Sequence, residues 1–281
     1  YIDLKDELIS KGYRFKTKTD TEVILHGYEA WGDKLWGKLN GIFAIVIWDE
    51  RDEKLFLVRD HMGVKPIHYF KVGKRIYFSS DYNSFFYQTF SKITINYDAI
   101  LSYLSFRYVV GAQTFYKEIR DVLPAHRVRF NSNSTNYSEY WDIPLDLSSE
   151  RSEDYYLEKV DHMLSNAIEK QLMSDVPLGA FISGGLDSSI LIYYISKKVK
   201  NVKTFITGFN VDGYNEFKYA DMMARSINVE ANKLTLSSDN YMSNMEEVIK
   251  LRGEPASVPH EAAILNMTKH MKNDISVVLS G

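Results

Sequence analysis

From residue 178 onward, short apolar runs alternate with helical segments of about 10–15 residues, and few folds accept that alternation. Strand patterns at 178–182, 203–209, 231–236 and 275–279 are separated by helical patterns at 188–198, 216–227, 241–251 and 260–271. A further helix is predicted over 153–173. Strands joined through helices run parallel, and a parallel sheet needs cover on both faces. Ligands on such sheets bind at the carboxyl ends of the strands, where the loops gather.

The first half has a different grammar. Leu4, Leu8 and Ile9 have helical spacing, and Thr19-Asp20-Thr21-Glu22 has the form of a capping box before the apolar stripe Val23, Ile24, Tyr28. Strand-like runs at 41–48, 54–58 and 75–80, punctuated by Gly63, Pro66 and Gly73, predict a β-meander. A helix is expected at 97–106 and a closing pair of strands at 128–130 and 137–141. The polar, aperiodic stretch from Asp142 to Ser152 is the linker candidate, giving domains at 1–142 and 153–281 joined by 143–152.

Composition narrows the function classes. Lys+Arg 34 against Asp+Glu 37 leaves no basic excess to hold a phosphate backbone, so nucleic acid is not an expected partner. The cysteine count is zero, which removes disulfides, thiolate metal sites and a cysteine nucleophile from these residues. The longest apolar run, 42–48, is strand-sized, so no membrane association is expected and the body is placed in the cytoplasm. A chain opening on Tyr1 and stopping just past the apolar run 275–279 reads as a piece of a longer protein.

The chemistry concentrates in Ser183-Gly184-Gly185-Leu186-Asp187-Ser188-Ser189, directly after a strand and opening a helix. Paired glycines let the backbone approach a ligand, and the new helix's first N–H groups favour an anion such as phosphate. The hydroxyls of Ser183, Ser188 and Ser189 add donors, and Asp187 can hold Mg²⁺ against phosphates. Two other motifs fail. The stretch from Gly32 to Leu39 nearly spells a P-loop but has Leu39 where a hydroxyl belongs, and His260-Glu261 lacks a second histidine at Ile264.

SGGLDSS in this setting resembles the pyrophosphate loop of ATP-pyrophosphatases, which cleave ATP to AMP and PPi. The approach from Met173 through Asp175-Val176-Pro177-Leu178-Gly179-Ala180-Phe181-Ile182 is similar to the glutamine-hydrolysing asparagine synthetases. So are Thr19-Asp20-Thr21-Glu22-Val23-Ile24, Gly41-Ile42-Phe43-Ala44, the stretch from Arg59-Asp60 to Lys65-Pro66, and Phe78-Ser79-Ser80-Asp81. The resemblance covers essentially the whole chain, in family order. It implies an α+β N-terminal-nucleophile domain (an αββα sandwich) followed by an α/β parallel-sheet ATP-pyrophosphatase domain. Glutamine hydrolysis would supply ammonia to an aspartyl-AMP made from ATP and aspartate, giving asparagine.

By the same resemblance, Asp20 binds the glutamine α-amino group, with a helix N-cap as its structural alternative. Ser183, Gly184, Gly185, Asp187 and Ser188 hold pyrophosphate and Mg²⁺, while Phe181 and Thr207 contact adenosine. Ser280-Gly281 begins a nucleotide-contacting Ser-Gly-Glu-Gly motif. Arg59-Asp60 is a structural turn. The nucleophilic cysteine would lie upstream of Tyr1, so no catalytic residue is assigned here and the fragment alone is expected to be inactive. A homodimer fits the resemblance. The segment Gly253-Glu254-Pro255-Ala256-Ser257-Val258 departs from the common family pattern and bears on the acceptor acid. Alternative readings are a same-fold amidotransferase acting on another carboxylate (a sugar acid, or a β-lactam precursor), another pyrophosphatase-loop enzyme, and a binding-only remnant.

Overall fold

Asp49 sets the first hairpin: its carboxylate accepts the N–H groups of Arg51 at 3.1 Å and Asp52 at 3.3 Å, closing the turn between Ala44–Asp49 (β1) and Lys54–Arg59 (β2). A computed structural model describes the chain except residues 88–91, 146–150, 210, 212, 214 and 281. It divides into two units, Tyr1–Leu145 and Asp146–Gly281. The central part of the linker candidate and Gly281 therefore lie outside the described residues.

In the first unit, β2 pairs antiparallel with His126–Phe130 (β6), which pairs with Thr135–Glu139 (β7), giving the order β1-β2-β6-β7. A second sheet pairs Arg75–Ser79 (β4) with His68–Val72 (β3) and β3 with Ile119–Asp121 (β5). Leu57, Val128 and Phe130 of the first sheet share a core with Tyr69 of the second. On the far side of the first sheet, Phe56 and Val58 pack on Leu35 and Trp36 of the 3₁₀ helix Gly32–Lys38, with Leu4 of Ile2–Ser10 (α1) and Tyr28 of Asp20–Trp31 (α2). Beyond the second sheet, Phe70 meets Phe85 of Asn83–Phe86 (α3). Tyr97–Phe106 (α4) forms where the spacing predicts.

The meander expected from the sequence is corrected. The runs predicted as consecutive strands are split between two sheets, because 75–79 pairs with 68–72 across Gly73 (φ 57°) instead of with 54–59. The near-P-loop stretch forms the 3₁₀ helix and buries Leu35 and Trp36 in the core.

Arg59 and Asp60 hold the loop that ends β2. Asp60 is 1% exposed, and its carboxylate accepts the N–H groups of Met62, Val64 and Lys65 at 3.1, 2.9 and 2.9 Å. The Arg59 guanidinium donates to the carbonyls of Lys65, Val122 and Gly63 at 2.9, 2.9 and 2.7 Å. Every charged atom of the pair is spent on backbone, so the two residues are structural.

The second unit is an all-parallel sheet of Leu178–Phe181 (β8), Lys203–Phe209 (β9), Ala231–Leu236 (β10) and Val277–Leu279 (β11), in the order β10-β9-β8-β11. Ala180, Ile182, Ile206 and Leu279 face a core with Ile168 of Glu153–Gln171 (α5), Ile192 and Ile195 of Leu186–Lys198 (α6), and Ala220 and Ala224 of Phe217–Ser226 (α7). Phe205 faces the other way, onto Met267 and Met271 of Glu261–Met271 (α9), which follows Ser238–Arg252 (α8). The chain steps outward from β8 to β9 and β10, then returns to place β11 on β8's other side. On sheets of this kind such a reversal marks the ligand crevice, here at the carboxyl ends of β8 and β11. Among the described residues, no helix is long and apolar enough to cross a membrane.

Asp60→Ala is expected to remove the buried carboxylate that three loop amides share and to lower stability by about 2–3 kcal/mol, read as a shift in the chemical-denaturation midpoint.

Candidate functional site

The crevice is lined by the loop that leaves β8. Ile182 extends the strand, its N–H donating to Phe205 O at 3.0 Å, and Ser183 begins the turn. Gly184 has φ 79°, and a Cβ there would stand 2.4 Å from Tyr219 Cβ and 2.6 Å from Tyr219 C. Only glycine lets the loop lie against the first turns of α7. The Ser183 and Ser188 hydroxyls meet at 2.7 Å. Ser188 Oγ also accepts the Ser183 N–H at 3.2 Å, and Ser183 Oγ accepts the Gly185 N–H at 3.2 Å. These serines shape the loop from within; Ser188 is buried.

Gly185 stands at the N-cap of α6, where no side chain caps the helix. The first amides of α6 are thus left for a ligand, and the helix end carries positive potential. Asp187 sits in the first turn, exposed, and its carboxylate meets no partner among the described residues. Those residues contain no group of three or more His, Cys, Asp or Glu that could hold a metal ion. A lone carboxylate of this kind suits Mg²⁺, which completes its shell with phosphate oxygens and water.

Ser280 follows β11 and is exposed beside β8, since Leu279 is in register with Ala180. Phe181, the last residue of β8, is partly buried and packs against the cluster that holds Phe205 and Met267. Thr207 lies near the carboxyl end of β9, its hydroxyl buried and without a hydrogen-bond partner. An orphaned buried hydroxyl is uncommon and points to a ligand atom or water that completes it. The loop 183–188, Ser280 and Thr207 share the carboxyl end of one sheet; Gly281 lies outside the described residues.

Asp20 belongs to the first unit. The N-cap of α2 is Thr19, which accepts the Glu22 N–H, and Asp20 is the first helical residue, exposed to solvent. The N-cap alternative for Asp20 is therefore corrected: the shorter Thr19 side chain, with extended backbone, takes that place. Glu22 turns away from the helix to accept the N–H groups of Lys16 and Thr17, both at 2.7 Å, with the Thr17 hydroxyl. These bonds hold its carboxyl down at about 2.

The sequence reading missed Asn215. Its side chain exchanges two hydrogen bonds with the backbone of Phe209, at the end of β9. Gly208 beside that contact was the available signal, since a Cβ there would stand 2.3 Å from Asn215 Oδ1.

Residues 1–141 match the family model of a glutamine amidotransferase domain, and residues 159–281 match that of asparagine synthase. The chain is 29% identical over 282 residues to glutamine-hydrolyzing asparagine synthetase 1 of Bacillus subtilis, covering 100% of this chain and 44% of the relative. It is 28% identical over 295 residues to asparagine synthetase 3 of the same organism, covering 99% and 48%. A putative asparagine synthetase 2 of Methanocaldococcus jannaschii is 26% identical over 287 residues, covering 100% and 55%. The chain thus spans about half the length of these relatives. Among solved structures, a glutamine PRPP amidotransferase of B. subtilis aligns with 90% of this chain and 66% of its own at 13% identity and a TM-score of 0.35, a slight likeness.

Two substitutions test this geometry. Gly184→Ala is expected to cost about 2–4 kcal/mol, from left-handed strain and overlap with α7, read by chemical denaturation. Glu22 is held below its ordinary carboxyl value of 4.5, so its contribution is full above about pH 5 and is lost as pH falls toward 2. Thermal melts should therefore show wild type above Glu22→Gln at neutral pH, with the two converging in acid.

Proposed function

This chain belongs to the glutamine amidotransferase family, and from that premise we propose that the protein carrying it is a glutamine-dependent asparagine synthetase. Residues 1–142 would form the glutaminase, an N-terminal-nucleophile αββα domain, with 143–152 as linker and 153–281 as part of an ATP-pyrophosphatase domain. The observation that carries the reading is the SGGLDSS loop, set between β8 and an uncapped α6 at the strand-order reversal, with Ser280 across the crevice.

Each residue has a task that its surroundings support. With Gly184 and Gly185 letting the backbone come close, the amides of the first turn of α6 would hold the β- and γ-phosphates of ATP and stabilise charge on the departing pyrophosphate. The orphaned Thr207 hydroxyl would meet the nucleoside, with Phe181 and Ser280-Gly281 completing its seat. Asp187 would hold Mg²⁺, which neutralises phosphate charge.

The chemistry follows from the poor reactivity of a carboxylate. An aspartate side-chain oxygen attacks the α-phosphorus, pyrophosphate leaves, and the mixed anhydride gains a good leaving group. Ammonia attacks the carbonyl carbon, loses a proton and expels AMP. The ammonia comes from glutamine, whose α-amino group would pair with Asp20 at the start of α2. The glutaminase nucleophile of this reading is a cysteine, which these residues do not contain. That sulfur must come from elsewhere in the intact protein, and we assign the reaction to the cytosol.

The test uses the intact protein with Mg·ATP and glutamine, following AMP, pyrophosphate and the amidated product. Pyrophosphate release that depends on aspartate, with asparagine formed and turnover reduced about 100-fold or more in Asp187→Ala, is the expected result. Release that ignores aspartate and follows another acid would move the acceptor to a different carboxylate. No release with any acid would end the synthetase reading.

A further inference from the structure

We propose that Asn215 is a positioning residue for the nucleotide, fixing the distance between the parts of the crevice that hold its two ends; this rests on the ATP reading above. The Phe209 N–H donates to Asn215 Oδ1 at 2.6 Å, and Asn215 Nδ2 donates to the Phe209 carbonyl at 2.6 Å. Both hydrogen-bonding groups of one backbone residue are thus closed by one side chain. Gly208 makes room for the contact: a Cβ there would stand 2.3 Å from Asn215 Oδ1 and 2.6 Å from Phe217 Cζ.

The clip joins two pieces with separate tasks. On one side is the end of β9, where the buried, unpartnered Thr207 hydroxyl lies two residues before Phe209. On the other side is α7, which starts at Phe217. The backbone of α7 at Tyr219 and Ala220 is the surface against which Gly184 rests, at 2.6 and 2.7 Å from its Cβ position. The strand end and the pyrophosphate loop therefore take their spacing from α7, and Asn215 ties α7's lead-in to the strand. A ligand that reaches both pieces depends on that spacing. A ligand that touches only the loop does not.

That difference makes the test. Calorimetric titration of the intact protein with Mg·ATP and with Mg·pyrophosphate should show Asn215→Ala weakening ATP tenfold or more while pyrophosphate stays within twofold. Asn215→Asp keeps the acceptor for the Phe209 N–H and loses the donor, so it should fall between wild type and Asn215→Ala. It also serves if the alanine variant does not fold. Gly208→Ala, which displaces the Asn215 side chain, should reproduce the ATP-selective loss. Equal weakening of both ligands would reduce Asn215 to a general structural role and overturn the proposal, as would unchanged ATP binding. Wild-type protein that binds pyrophosphate but not ATP, or neither, would sink the nucleotide reading itself, an outcome separate from the behaviour of the variants.

Discussion

A Cβ at position 184 would collide with the backbone of α7, and the whole crevice is arranged around that missing atom. Because the loop can lie flat on α7, the turn from β8 into α6 is tight. The first amides of α6 are left without a side-chain cap. The serine hydroxyls at 183 and 188 secure the same turn from inside. The result is a polar cradle whose donors are oriented before any ligand arrives, and such preorganisation is what makes backbone amides effective against a developing negative charge.

The first unit solves a different problem with a related device. Its loop after β2 must change direction outside any strand pairing, which leaves several backbone groups without a ladder partner. Asp60 satisfies the donors and Arg59 the acceptors, so neighbouring residues of opposite charge fix the turn's backbone. The left-handed Gly63 completes the bend, with Pro124 close against it. A carboxylate and a guanidinium in a conspicuous motif would ordinarily suggest chemistry; here both are consumed by architecture.

The features legible in the sequence were those set by nearby residues. The cap at Thr19, the alternation of β8 to β11 with helices, and the strand–loop–helix form of SGGLDSS all depend on contacts within a few positions. What escaped depends on distant partners. The strand 68–72 has a histidine and a lysine in a five-residue run, yet it pairs with both β4 and β5, with Tyr69 and Phe70 buried and His68 against Asp121. The division of the first unit into two sheets follows from that pairing, which no local pattern announces. Asn215 escaped for the same reason: in sequence it is an ordinary polar loop residue, and only the lack of a side chain at Gly208 gives it access to Phe209.

The return of β11 to the side of β8 also dictates when the crevice can exist. Leu279 pairs with Ala180, so the two walls are separated by about a hundred residues of chain, a long-range closure of the kind that slows folding. During synthesis the SGGLDSS segment emerges well before the strand that completes its surroundings. Its glycines and uncapped helix start must wait, exposed, while β9 and β10 assemble. Of the four strands β11 is thus the last to be made, and the loop after β8 gains its neighbour on that side only when β11 is in place.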